Sequence, residues 1–193
     1  MSRRFDLPIY VTRKTLASVE KRSSSSKQKF NEIQTVLFRA GEDFDIKDLK
    51  VQTVPTPHDA VDAVAFVIED GTHRVGILTD MGHVFSGLRE VLASLDAVVI
   101  ESNYDEALLE ESRYPDFLKR RIRGSGGHLS NVDSARLLHH CDNRKLQWVC
   151  LCHLSGQNNC PETAIRVHQS WLGEDYPLHV AKRKGVGEML ELK

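Results

Sequence analysis

The sequence lacks several things, and each absence removes a class of protein. No apolar run approaches the ~18 residues of a membrane-spanning helix. The opening stretch, MSRRFDLPIYVTRK, has no hydrophobic signal core, which sets the expectation of a cytoplasmic protein. Charge of one sign is also missing. A formal net charge of -1 excludes a globally basic nucleic-acid binder and leaves room only for a local basic patch. Among the four cysteines, Cys141, Cys150, Cys152 and Cys160, no pair has C-x-x-C spacing, so a zinc ribbon has little support. Cys150 and Cys152 share one face of a strand and read as reduced, buried thiols. No internal repeat of 20–50 residues is present, which removes solenoids and propellers.

What remains is an ordinary globular composition. With 40% hydrophobic and 27% charged residues over 193 positions, the chain can bury a core and reads as a single domain, residues 1–193. The organising stretch is Val75–Gly82, VGILTDMG. A continuous apolar run marks a strand buried on both faces, and it ends in a polar tip at Asp80. Strands are expected at Leu7–Val11, Thr35–Phe38 and Leu49–Val54, with AGEDFDIKD between the last two as a loop. Thr12 can cap a helix reaching about Arg22, and Ser23–Ser26 reads as a polar loop. A hairpin joins Ala63–Glu69 to His73–Leu78 across Asp70-Gly71. Helix Val84–Leu95 follows, then strand Ala97–Ile100, two short helices within Asp105–Arg123, helix Asn131–Cys141, strand Gln147–Cys152 and helix Pro161–Leu172. Leu178–Ala181 and Glu188–Leu192 could each close the chain as strands. The pattern is mixed α/β, with sheets covered by helices.

Three strand ends carry chemistry. Asp80 follows Val75–Leu78, His58 follows a strand ended by Pro55 and Pro57, and His153 follows Gln147–Cys152. Imidazoles and a carboxylate suit a borderline divalent ion such as zinc. The plainer reading makes Asp80 a helix cap and the histidines hydrogen-bonded loop residues. GSGG, Gly124–Gly127, feeds a helix N-terminus and can offer backbone N–H groups to an anion. Lys119, Arg120, Arg121 and Arg123 precede it as a cationic cluster, or as the solvated face of a surface helix. His128 could act as a general acid, with Glu101 orienting it. His83 could face the same site or lie in solvent.

The order PTPHDA, TDMG, ESNYD, GSGGHLSN, CHLSGQNN resembles the later part of the metallo-β-lactamase fold, and more narrowly its bacterial YycJ (WalJ)-type branch. The resemblance covers essentially the whole chain. It implies an αββα sandwich with a two-metal site on one edge, occupied by zinc, manganese or iron. On this resemblance His58 binds the first metal, Asp80 bridges both and His153 binds the second. Glu101 and His128 look like the proton-delivery pair of related nucleases. Ser125, Gly126, Gly127, Ser130, Asn131, Arg121 and Arg123 would hold the substrate phosphate. The implied activity is metal-assisted hydrolysis of a phosphodiester, as in a DNA exonuclease, with His128 protonating the leaving oxygen.

One departure matters. The family's main ligand motif is His-x-His-x-Asp-His, and none of the nine histidines is followed two positions later by another. The expectation is an N-terminally truncated domain that has lost its first strands. It keeps two protein ligands per metal, where a catalytic zinc site has three. Weak metal binding, little activity and uncovered apolar sheet surface would follow. The alternatives are a hydrolase of a small ester, thioester or lactone on the same fold, or a catalytically inactive remnant.

Overall fold

The computed structural model describes residues 2–22, 34–141 and 145–193. The expected Ser23–Ser26 loop lies outside the described residues. A short helix α1 (Ser2–Phe5) leads into β1 (Ile9–Thr12) and α2 (Arg13–Arg22). Thr12 caps α2 as its type suggests, its Oγ1 accepting the Thr15 amide at 3.2 Å. β2 (Thr35–Phe38) pairs in parallel with β1 to make a two-stranded sheet.

The second sheet has seven strands in the order β3 (Phe44–Ile46), β4 (Leu49–Pro55), β5 (Val64–Glu69), β6 (Arg74–Leu78), β7 (Ala97–Glu101), β8 (Trp148–Cys152), β9 (Leu178–Val180). β3 through β6 pair antiparallel as a meander. β6 through β9 pair in parallel. Parallel neighbours need crossovers. These are α3 (Leu88–Ala93) between β6 and β7, then α4 (Glu106–Glu111), α5 (Asp116–Arg123) and α6 (Asn131–His140) between β7 and β8, and α7 (Pro161–Leu172) between β8 and β9.

Each face of the large sheet has its own cover. Ala65 and Val67 of β5 are buried with Leu78, Leu88, Leu92, Val98, Leu137, Val149 and Ala164 in the core under the helices. The alternate residue Phe66 points the other way, as strand periodicity requires. It meets Phe38 at 6.1 Å, and Phe44 stacks on Tyr10 at 5.1 Å, which docks the small sheet on the large one. Ile77 sits opposite Phe66 on this second face and remains 36% exposed, and Leu37 of the small sheet is 43% exposed. Apolar surface is thus partly uncovered here.

Three sequence expectations are corrected. AGEDFDIKD is not a plain loop: Phe44–Ile46 forms edge strand β3, turning through Lys47 at φ 56° into β4. The helix expected over Val84–Leu95 shrinks to Leu88–Ala93, because Gly87 at φ 86° breaks the helical path ahead of it. Glu188–Leu192 forms no strand; Trp148 Nε1 donates to its Glu191 carbonyl at 3.1 Å.

Candidate metal centre

Strand direction assembles the site. β4, β6, β7 and β8 all run the same way, so their C-terminal ends meet at one edge of the sheet. His58, Asp80, Glu101 and His153 stand at or just beyond those four ends. Ligands of open α/β sheets bind at that edge.

Asp80 is not a helix cap, since the next helix after it begins only at Leu88. Its backbone is left-handed at φ 57°, and His153 is likewise at φ 56°. Non-glycine residues hold such conformations only where the surroundings impose them. Here the Met81 amide donates to Glu101 Oε2 at 2.9 Å just after Asp80. Asn103 Nδ2 donates to the His153 carbonyl at 2.8 Å.

Glu101 is the hub. It is fully buried, and its Oε1 accepts from Nδ1 of both His128 and His153, each at 2.7 Å. Burial raises its pKa, but the bonds from His128, His153 and Met81 together outweigh that and hold the carboxyl below its ordinary range. The bond from Glu101 in turn raises the pKa of His153 against an opposing desolvation. An ionised carboxylate only accepts, so both rings carry their proton on Nδ1 and turn Nε2 elsewhere. His58 is fixed in the same way, with Nδ1 donating to the Gly127 carbonyl at 2.9 Å.

The freed nitrogens converge. His58 Nε2 lies 3.5 Å from Asp80 Oδ1, and His153 Nε2 lies 3.9 Å from the same oxygen. The His128 ring stands between the other two, 5.0 Å from His58 and 5.2 Å from His153 by centroid. These side chains line a cleft of about 220 Å³ with Asp59, Arg121, Ile122 and Gly127. His58, Asp80 and His128 place donor atoms within 4.8 Å of one another. The Asp80 carboxylate accepts no hydrogen bond among the described residues and faces imidazole lone pairs, an arrangement that suits a divalent cation. A second grouping, Glu101, His128 and His153, uses atoms already bonded to one another and is the scaffold behind the donors.

The residues expected to hold phosphate divide. Arg121 reaches the cleft, but its Nε binds Asp59 Oδ2 at 2.5 Å, which lowers the Asp59 pKa and raises its own. Arg123 lies outside this cleft and pairs with Glu110 at 2.7 Å. The Gly-rich loop turns carbonyls, not amides, to its neighbours: Ser125 O to His83 Nδ1, Gly126 O to the Asp59 amide, Gly127 O to His58. Its backbone positions histidines. Ser130 is buried as the cap of α6, accepting the Asp133 amide. Asn131 is buried in a bonded set with Ser102 and Asn159 that ties together the loops behind the site. Neither exposes a surface to a ligand. His83 stands on the far side of the Gly-rich loop from the donors, bonded to Ser125.

Sequence reasoning missed Asp59, Asn103 and the grip of Glu101 on His153. Asp59 adjoins His58 in PTPHDA, and its carboxylate comes within 3.7 Å of His58 Nε2. Position beside a candidate ligand was the available signal.

Comparison with known proteins identifies the family. Residues 1–151 match the model of the beta-lactamase superfamily domain. The chain belongs to that superfamily. Over its whole length it is 30% identical to the exodeoxyribonuclease YycJ of Bacillus anthracis, of which it spans 69%. Its fold is the metallo-β-lactamase fold. The protein YhfI of Bacillus subtilis superposes with a TM-score of 0.66 over 94% of this chain and 65% of its own, at 16% identity. Zinc-bound PqqB of Methylobacterium extorquens does so with a TM-score of 0.65 over 96% and 62%, at 18% identity. The chain thus spans less than two thirds of either solved protein.

Proposed function

We propose that this chain carries part of the reaction centre of a metal-dependent phosphodiesterase that shortens DNA from an end. The carrying observation is the buried Glu101 carboxylate, which fixes Nδ1 of His128 and His153 and so aims Nε2 of both into a cleft beside Asp80. Similarity to an exodeoxyribonuclease over the whole chain supports DNA as the substrate.

In this reading His58, Asp80 and His153 would hold two divalent ions, at two protein ligands for each. Zinc is favoured by the imidazole donors, and manganese or iron fit the same set. Metal bound there would supply Lewis-acid polarisation of the phosphoryl oxygen and a more acidic water. His128, when its Nε2 also carries a proton, would deliver it to the leaving oxygen, with Glu101 holding the ring through Nδ1. Arg121, paired with Asp59 at the cleft mouth, contacts the phosphate. The four cysteines are unpaired, which supports a reducing, cytoplasmic setting.

Two protein ligands per ion fall below the three of an ordinary catalytic zinc. Turnover by the 193 residues alone is therefore expected to be slow and to require added metal. The test is hydrolysis of bis-p-nitrophenyl phosphate and of end-labelled DNA with added Mn²⁺ or Zn²⁺, in wild type and Asp80→Ala. Metal-dependent release that disappears in Asp80→Ala supports the reading. Release from a thioester, with none from either phosphodiester, overturns it.

A further inference from the structure

A second cleft, of about 500 Å³, lies on the other side of the Gly-rich loop. Its walls carry Arg89, Arg123, Arg136 and His83 against a single acid, Asp133. Such a concentration stands out in a chain of net charge -1. Arg89 is exposed on α3 and makes no ion pair among the described residues. Arg123 is braced by Glu110 at 2.7 Å, and Arg136 lies 3.8 Å from Asp133. Several guanidinium groups around one cavity suit an anion with more than one charge.

The wall between the two clefts is thin. The segment Asp80–His83 has its first residue in the metal cleft and its last in the arginine cleft. The segment Ser125–Gly127 does the same in reverse, with Gly127 in the metal cleft and Ser125 in the other. The two segments press together so closely that a Cβ on Gly82 would lie 2.2 Å from the Ser125 carbonyl. Ser125 to Gly127 spans at most about 7 Å of extended chain. One nucleic-acid strand, with a phosphate every ~3.4 Å of axis in a duplex, covers that in roughly two nucleotides.

We propose that the Arg89–Arg123–Arg136 cleft binds the non-reacting phosphates of a nucleic-acid strand whose scissile phosphate lies in the metal cleft. This rests on the phosphodiesterase reading and adds where the rest of the substrate runs. A small ester or a mononucleotide would have no use for the second cleft. A strand would, because phosphate contacts supply most of its sequence-independent affinity.

Binding can be read without turnover. A fluorescent single-stranded oligonucleotide is titrated with the 193-residue chain in EDTA at several salt concentrations. Arg89→Gln is the primary variant, since Arg89 supports no contact needed for folding. Arg89→Gln with Arg136→Gln is the second variant, and Arg166→Gln on α7 is the control. The slope of log K against log salt should fall by about 0.7 for each phosphate contact removed. A loss of about 0.7 in Arg89→Gln and about 1.4 in the double variant, with the control unchanged and a mononucleotide bound far more weakly, supports the cleft. An unchanged slope, no measurable oligonucleotide binding, or equal affinity for a mononucleotide overturns it. So does transfer of the whole effect to Lys182→Gln with Lys184→Gln, which probes the other basic cleft, beside His153. Hydrolysis of bis-p-nitrophenyl phosphate by wild type reports on the reaction alone. If that fails while the Arg89 dependence holds, the phosphodiesterase reading falls and the binding cleft stands.

Discussion

Glu101→Gln is the most informative single change. The wild-type carboxylate accepts two imidazole N–H groups at one oxygen and the Met81 amide at the other, and it is fully buried. An amide cannot satisfy all three. If its oxygen faces the histidines, its NH₂ opposes the Met81 N–H. If its NH₂ faces them, His128 and His153 must move their protons to Nε2, and the lone pairs aimed at Asp80 are lost. One buried mismatch costs about 1–3 kcal/mol of stability. Loss of a carboxylate behind ligating histidines costs about 10–100-fold in metal affinity. Because the folded Glu101 carboxyl titrates below its ordinary range, it contributes stability at neutral pH that is lost as pH falls through its folded value. Glu101→Gln should lose that part of the acid dependence. The assays are urea unfolding at neutral and acid pH, and competition for Zn²⁺ against a chromophoric chelator. A variant of wild-type stability and wild-type metal affinity would refute the role of Glu101 as the hub.

Other expectations follow from separate parts of the fold. Gly82→Ala forces a Cβ to within 2.2 Å of backbone at Ser125, and urea unfolding should show a loss of about 1–3 kcal/mol or more. Gly127→Ala meets the Ile122 carbonyl at 2.1 Å and shifts the carbonyl that holds His58, so metal affinity should fall together with stability. His168 is fully buried, its Nδ1 donating to the Ala164 carbonyl and its Nε2 bonded to Ser134 Oγ, and burial pushes its pKa down to about 4. The unfolded chain takes up that proton first, so stability should be complete above pH ~6.5 and fall by roughly 3 kcal/mol toward pH 4. His168→Asn should flatten this part of the pH–stability profile. Arg121→Gln breaks only an exposed pair with Asp59, so the unfolding midpoint should not move while KM for DNA rises.

Much of the large sheet was legible in the sequence because β4 to β8 are apolar, partly β-branched runs. His58, Asp80 and His153 could be picked out because each ends one of those runs, and strand direction then brings them to one edge. The pairing of Glu101 with His128 was readable because a carboxylate at a strand end could orient a candidate acid. Its hold on His153 was not, since that contact joins residues 52 apart with no local signature. In the Gly-rich loop the same glycines that could expose amides let the chain press against Gly82 and point carbonyls at three neighbours, a packing with no local signature. β3 was hidden because its charged middle residue, Asp45, resembles loop. What makes it a strand is the neighbour β4 and the ring of Phe44 against Tyr10.

The most direct test of the centre is equilibrium metal binding to the purified 193-residue chain, with Zn²⁺ and Mn²⁺, beside His58→Ala, Asp80→Ala and His153→Ala. The expected result is weak, saturable binding, short of two tightly held ions per chain, lost in Asp80→Ala and reduced in each histidine variant. Two tightly held ions would contradict the count of two protein ligands per metal. Binding that survives Asp80→Ala would contradict the site itself.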